Sequence, residues 1–262
     1  MKTVWVLGAN SGLGIPFCEE IFKRWGECHL ILSGRDLLKL EEVEEKLKKK
    51  FSRITLLPFD IEDFDQIDSA LVKVNELGGV DMMIYCIGLG QRSNFLEMDW
   101  KVFNKLMHVN FTGVAYLLRK FLNIPLSQGR YVEMIFVNSI QAVLPIPNRT
   151  AYSASKGALR NFLNSLMLEL KGKNIRICQV FPAYIDTDFS RKAMDRQGNK
   201  HDHKDSNQSK GMRPELVARK SLEALWSGKT ELIISSFKYK IIAKFYSLFP
   251  NLFKKLFILI RG

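Results

Sequence analysis

The chain is poor in the residues that build disulfide or metal scaffolds. Its four cysteines, at positions 18, 28, 86 and 178 of 262, form no C-x-x-C pair and no ligand rhythm, and three lie in apolar stretches. Reduced thiols in an intracellular protein are the expectation, not a stapled secreted domain. No run of about 18 uninterrupted apolar residues occurs, which excludes an ordinary transmembrane helix. The amino-terminal Lys2 followed by Val4, Trp5, Val6 and Leu7 is too short for an export signal and meets glycine at once. Acidic residues are missing from positions 237 to 262, where Lys238, Lys240, Lys244, Lys254, Lys255 and Arg261 stand, so half of the formal net charge of +12 sits in one tail. What remains is ordinary: 47% hydrophobic and 25% charged residues suffice for the core of one α/β domain and are too apolar for disorder.

Short apolar runs rich in β-branched residues alternate with helix-length amphipathic segments, the pattern of βα units around a parallel sheet. Strands are expected near 3–7, 29–32, 54–57, 81–87, 131–138, 175–181 and 231–234. Between Asp36 and Lys50, Leu37, Leu40, Val43 and Leu47 recur at helical spacing; Leu159, Phe162, Leu163, Leu166 and Leu170 do so in a helix beginning near Tyr152. There is no internal repeat and no domain linker. The polar stretch 190–212 breaks the alternation and reads as a long loop over the site, a substrate lid near 188–212. His201 and His203 within it have no carboxylate or histidine partners at ligand spacing, so a solvated loop is expected and no metal.

After the first strand comes Gly8-Ala-Asn10-Ser11-Gly12-Leu13-Gly14, opening the first helix. Glycines there let backbone approach a pyrophosphate, and a helix amino terminus offers N–H groups and a favourable dipole. The spacing is G-x-x-x-G-x-G, not G-x-G-x-x-G. Further on stand Asp60-Ile61 after the third strand, Gly88 after the fourth, Asn110 within MHVNFTG, Ser139 after the fifth, Tyr152-Ser-Ala-Ser-Lys156, and Pro182-Ala-Tyr-Ile185-Asp-Thr187-Asp. In this order, over nearly the whole chain, the set resembles the short-chain dehydrogenase/reductase family.

The resemblance implies a single-domain, doubly wound Rossmann fold of about seven parallel strands over residues 1–236, with a helical amphipathic tail at 237–262. It implies a catalytic set of Asn110, Ser139, Tyr152 and Lys156. Cofactor contacts would come from Gly8, Asn10, Ser11, Gly12, Leu13, Gly14, Arg35, Asp60, Ile61, Gly88, Asn110, Tyr152, Lys156, Pro182, Ile185 and Thr187. At the end of the second strand Gly34 takes the place of an acid that would hold a ribose 2′-hydroxyl, and Arg35 follows it, which favours NADP(H) over NAD(H). Asp36 stands about where the generic acid would, but it reads as the cap of the next helix.

Tyr152 and Lys156 are four apart and share a helix face. A phenol near pKa 10 exchanges protons poorly at neutrality, and a nearby ammonium is expected to lower it, making Tyr152 an acid in reduction and a base in oxidation. Lys156 would also hold the nicotinamide ribose by family resemblance, Ser139 the substrate carbonyl, and Asn110 a water in the proton relay. Three departures stand out. Leu7 replaces the family's threonine, Tyr85-Cys86-Ile87-Gly88 replaces Asn-Asn-Ala-Gly, and Pro182-Ala183 replaces Pro-Gly.

In the tail, Phe245, Leu248, Phe249, Leu252, Leu256 and Phe257 recur at helical spacing among lysines, and Pro250 splits the segment into two short helices. Such a basic, aromatic surface suits a membrane interface; the competing reading packs it on the enzyme or across a subunit contact. It resembles the tails of family members acting on steroids, long-chain ketones or sphingoid bases. The expectation is therefore an NADP(H)-dependent oxidoreductase on a small apolar carbonyl or secondary alcohol, cytoplasmic, peripheral at a membrane surface, and a homodimer or homotetramer. A catalytically silent nucleotide-binding scaffold is the alternative, disfavoured because Ser139, Tyr152 and Lys156 are all present. Nucleic acid is not an expected partner, since the aromatics fall at core spacing, not in an exposed stripe.

Overall fold

A computed structural model describes residues 1–200 and 210–261 of the chain; His201 and His203 lie outside the described residues. All seven expected strands form: β1 (Thr3–Leu7), β2 (His29–Ser33), β3 (Ile54–Leu56), β4 (Met82–Tyr85), β5 (Val132–Val137), β6 (Ile175–Pro182) and β7 (Glu231–Ile234). They make one parallel sheet in the order β3-β2-β1-β4-β5-β6-β7. The chain winds outward from β1 in one direction and from β4 in the other. Crevices for ligands open beyond the carboxyl ends of strands at such a reversal.

Helices cover both faces. They are α1 (Gly14–Trp25), α2 (Leu37–Leu47), α3 (Phe64–Glu76), α4 (Trp100–Met107), a π-helical turn (His108–Thr112), α5 (Gly113–Phe121), α6 (Asn123–Ser127), α7 (Thr150–Glu169), α8 (Pro214–Trp226), α9 (Phe237–Leu248) and α10 (Pro250–Arg261). Alternation along β1 shows how the faces divide, because successive strand side chains point to opposite sides. Val4 and Val6 enter a core with Phe17 and Ile21 of α1, Leu40 and Val43 of α2 and Val217 and Leu222 of α8. Trp5 and Leu7 enter the other, with Ile67 of α3, Leu117 of α5 and Leu159 and Leu163 of α7.

The helix read between Asp36 and Lys50 is α2, and Asp36 caps it, accepting from the Lys39 backbone N–H at 3.3 Å. The fourth strand is shorter than expected. It ends at Tyr85, and Cys86 bonds back to the Leu7 carbonyl at 2.8 Å before the chain turns away at Gly88. Leu7 and Tyr85, two of the departures from the family pattern, are register partners on the same face. Both are fully buried, and the Tyr85 ring stacks on Phe136. Apolar packing thus occupies the place of side-chain hydrogen bonds, at the cost of a Tyr85 hydroxyl that is buried without a partner among the described residues.

The tail forms two helices that break at Phe249 and Pro250, where proline suits a helix start and not its interior. Phe253 packs against Phe245 and Tyr246 and so joins α9 to α10, while Tyr239 meets Tyr184 beside the lid. Phe237, Ile241, Leu248, Phe249, Leu252, Leu256, Ile258 and Leu259 remain exposed. No helix among the described residues is long and apolar enough to cross a membrane.

Candidate active site

The glycine turn lies where the strand order reverses, and its shape depends on residues that lack side chains. Gly8 has φ +83°, and a methyl group there would sit 3.0 Å from the Cys86 and Ile87 backbone. At Gly12 a methyl would fall 2.4 Å from the Thr187 side chain, and at Gly14 1.9 Å from the Ala9 carbonyl oxygen. Gly34, at the end of β2, leaves room for the Asn10 amide, whose Oδ1 would lie 2.9 Å from an added Cβ. The turn is therefore bounded by the 86–88 segment, Thr187 and the β2 end, and no side chain caps α1 behind it. At the start of α1 the Gly14 N–H donates to the Ser11 carbonyl at 3.2 Å and Pro16 has no N–H, so the Ile15 N–H and the positive end of the helix are what α1 offers an anion here. This donor set fits the diphosphate of a dinucleotide.

At the far side of the turn, the Arg35 guanidinium lies 3.6 Å from Asp60 and 4.0 Å from Glu62, with its side chain 62% exposed. Such long, solvated pairs hold an arginine weakly, so it stays available to a phosphate. Ile61 is buried against α5. A methyl on Gly113 would meet the Ile61 carbonyl oxygen at 2.2 Å, so the closing glycine of MHVNFTG sets how near that helix comes.

The four proton-transfer residues converge from three parts of the chain. Tyr152 and Lys156 come from α7, Ser139 from the end of β5, and Asn110 from the π turn between α4 and α5. All four are buried. The Ser139 hydroxyl is within hydrogen-bond reach of the Tyr152 hydroxyl, and its oxygen accepts from the Gln141 backbone N–H at 3.2 Å. Lys156 Nζ donates to the Val137 carbonyl at 3.4 Å, and Gly88 gives it room on the other side.

The expected effect of the lysine on the tyrosine is corrected here. Burial pushes the Tyr152 phenol up to about 12, opposed by the Ser139 hydrogen bond and then by the charge of Arg149; Lys156 is not what lowers it. Burial also brings Lys156 down to about 8, so its own charge fades just above neutrality. Asn110 is bound on both sides. Its side chain accepts from the Leu89 N–H at 2.8 Å and donates to the Leu89 carbonyl at 2.9 Å and to Ser155 Oγ at 3.0 Å. The amide thus clamps the loop after β4 to α7, and a π turn, a feature frequent at functional sites, aims it.

The described part of the loop expected as a lid packs beside Tyr152. Met212 pairs with Ile185, and Met194 pairs with Gln91. Phe189 sets its ring 5.9 Å from that of Tyr152, and Met194 packs in the same apolar cluster. Pro182 ends β6, and Ile185 and Thr187 lead from it into the lid beside Gly12. Sequence reasoning missed Ser155, Gly113 and Arg149. Ser155 and Gly113 lie inside motifs already singled out; Arg149 carries no spacing signal of its own.

Residues 2–198 match the family model described as short chain dehydrogenase. Among similar proteins are the dehydrogenase/reductase SDR family protein 7-like of Drosophila melanogaster, 32% identical over 257 residues, with 96% of this chain and 78% of that protein covered. The dehydrogenase/reductase SDR family member 7B of Xenopus laevis is 30% identical, with 95% and 79% covered. Among solved structures, a short-chain dehydrogenase/reductase from Burkholderia phymatum in complex with NAD has a TM-score of 0.83 at 18% identity, covering 96% of this chain and 94% of that one. An alcohol dehydrogenase from Thermococcus sibiricus complexed with 5-hydroxy-NADP has a TM-score of 0.75 at 22% identity, covering 90% and 97%. At these identities the structures speak to the fold.

Proposed function

The chain belongs to the short-chain dehydrogenase/reductase family and is an oxidoreductase; from that premise we propose that it uses NADP(H) to interconvert an apolar carbonyl compound and its secondary alcohol. The observation that carries the reading is the convergence of Ser139, Tyr152 and Lys156 beside a glycine cradle under an apolar lid. Gly8, Asn10, Ser11, Gly12, Leu13 and Gly14, with Asp60, Ile61, Gly88, Pro182, Ile185 and Thr187 around the rest of the crevice, would hold NADP(H), which would supply or accept the hydride. Ser139 holds the substrate oxygen by hydrogen bond and stabilises the charge that develops there. Tyr152, protonated across the neutral range, gives its proton to that oxygen in reduction and recovers it in oxidation. Lys156 carries a replaceable proton beside it, and Asn110 keeps the loop at Leu89 in place.

Arg35 and the absence of an acid at Gly34 support a 2′-phosphate. The test is a fluorescence titration of the protein and of Arg35→Ala with NADPH and NADH. A charge-assisted hydrogen bond contributes about 1.5–3 kcal/mol, so NADPH binding should weaken roughly 10- to 100-fold in the variant while NADH binding stays the same. Equal losses for both, or tighter NADH binding by the wild type, would overturn the assignment.

The substrate class follows from the walls. Phe189 and Leu89 pack with Met194 in one apolar cluster around Tyr152, and the reading assigns residues 188–212 as the lid and 1–236 as the catalytic domain. The tail at 237–262, with its exposed leucines and phenylalanines and six cations, docks on an anionic membrane surface and sets the site mouth near it. Docking predicts that the double variant Leu252→Glu, Leu256→Glu binds phosphatidylserine vesicles at least about tenfold more weakly in a flotation assay, since each buried leucine contributes about 1.5–3 kcal/mol. Unchanged flotation would return the tail to a contact between copies of the chain. Assembly as a homodimer or homotetramer is part of the same proposal.

A further inference from the structure

The helix that carries Lys156 meets the sheet through a polar seam. Lys156, Arg160 and Asn164 recur every four residues and so share one face of α7. Glu231 of β7 accepts from the Arg160 guanidinium at 2.9 and 3.0 Å and from Asn164 Nδ2 at 3.0 Å. Burial pushes its carboxyl up, the hydrogen bonds from Arg160 and Asn164 pull it down past the ordinary value, and the ionised group can only accept. That fixes the sense of every amide beyond it. Asn164 Oδ1 accepts from Gln179 Nε2 at 2.8 Å, Gln179 Oε1 accepts from Asn138 Nδ2 at 3.4 Å, and the same Nδ2 ends on the Lys156 carbonyl at 3.2 Å. Gln179 Nε2 also donates to the Arg160 carbonyl at 3.2 Å. Gln179 and Asn138 are buried, and Asn138 Oδ1 has no partner among the described residues. Asn138 is thus oriented as a donor, and it is not an ordinary satisfied core amide.

We infer that Asn138 is a positioning residue, which fixes Lys156 to the end of β5 and so to the next residue in the chain, Ser139. Two adjacent residues grip the lysine at both ends. The Val137 carbonyl accepts from Nζ at 3.4 Å, and the Asn138 amide donates to the lysine's main-chain carbonyl. The strand side of this grip is held by the sheet, since the Asn138 N–H donates to the Val180 carbonyl at 2.9 Å and Val137 is the register partner of Val180. A carbonyl inside a helix already accepts from the N–H four residues on. The amide is therefore a second donor, which the helical turn needs for its placement and not for its formation. Ser139 follows at once, so one short stretch of chain sets the separation of the serine from the lysine. An error of about 1 Å in such a placement lowers turnover by about 10²-fold. The inference rests on the reading of Ser139 and Lys156 as members of the site.

The test compares Asn138→Leu and Asn138→Ala, which lack the donor with and without its bulk, with Glu231→Ala, which loosens the far end of the seam. The full chain is prepared with lysine isotope-labelled at Cε. The Lys156 signal, identified by its absence from Lys156→Met, is followed by NMR from about pH 6 to about pH 10, the range in which a lysine held dry titrates. In the parent, burial brings its midpoint to about 8. The titratable groups around it are the Tyr152 phenol one turn earlier and the Cys86 thiol, both pushed up by burial, while Arg160 turns to Glu231. Released from the Asn138 amide, Nζ reaches water. The midpoint should then rise by about one unit toward the ordinary lysine value in both Asn138 variants, whereas Glu231→Ala melts earlier and titrates with the parent. In NADPH-dependent reduction of acetophenone, kcat should fall about tenfold or more in the two Asn138 variants and stay within about twofold of the parent in Glu231→Ala. Coincident midpoints, an unchanged kcat, or a Glu231→Ala midpoint displaced as far as theirs would overturn the inference and reduce the seam to a fold contact. Absence of turnover in the parent, or turnover surviving in Tyr152→Phe, counts against the reading of the site, and the midpoints then decide alone.

Discussion

Tyr152→Phe should lower turnover by about 10²- to 10⁴-fold, the usual contribution of a positioned general acid or base, with a much smaller effect on NADPH affinity. The hydroxyl is within reach of Ser139, whereas the proposed diphosphate cradle is the turn from Gly8 to Gly14, so the loss should appear mainly in kcat. The phenol stays protonated to about 12, and Lys156 is protonated below about 8 and neutral above. Reductive turnover should accordingly hold level through neutrality and decline as pH rises past the Lys156 value, because the proton that reloads Tyr152 is then gone. Following NADPH consumption against an apolar ketone across pH checks both statements. A Tyr152→Phe enzyme within threefold of the parent, or a reductive rate that climbs above about pH 8, would contradict them.

The second large effect concerns a position with no functional group. Gly14→Ala puts a methyl 1.9 Å from the Ala9 carbonyl oxygen, a backbone atom that cannot swing aside. Forcing such an overlap costs about 1–3 kcal/mol, which lowers the melting temperature by roughly 2–12 °C in a domain of this size. The greater damage is to the turn itself, and NADPH affinity should fall more than about tenfold, since shifted N–H groups no longer meet the diphosphate together. Gly157→Ala is the control. Its added methyl meets nothing within 4 Å on α7, so thermal stability should be unchanged or rise by about 0.5–1 kcal/mol. If the two variants melt and bind alike, the close approach of Gly14 to Ala9 is not what shapes the turn.

How legible the molecule was can be judged element by element. The strands were readable because a parallel sheet covered on both faces needs short continuous apolar runs, and β1 to β7 are such runs. Asp36 was readable as a cap because its side chain acts locally, on a neighbour three residues away. The site was legible as a set of residues and much less as a set of contacts. Asn110 stood out, but its clamp on Leu89 and Ser155 depends on a π turn, which hydrophobic spacing does not encode. The direction of the Tyr152 shift was misjudged because helical spacing reports that a lysine is near and says nothing about how dry the place is. Burial outweighs the groups that draw the phenol the other way. Leu7 and Tyr85 looked like defects in two separate motifs until register placed them side by side in one core.

The contact of Gly8 with the backbone of Cys86 and Ile87 also bears on how the chain reaches its native state. β1 pairs with β4 through Val4 and Met82 while β2 and β3 lie to the other side of β1, so this juncture joins segments far apart in the sequence. Long-range parallel pairing of this kind forms late and slowly. A partly folded chain holding only the first three strands has the glycine sequence but not the wall against which the turn is shaped. Dinucleotide therefore has no finished cradle to select until the two halves of the sheet meet, and its binding free energy acts on the completed fold alone.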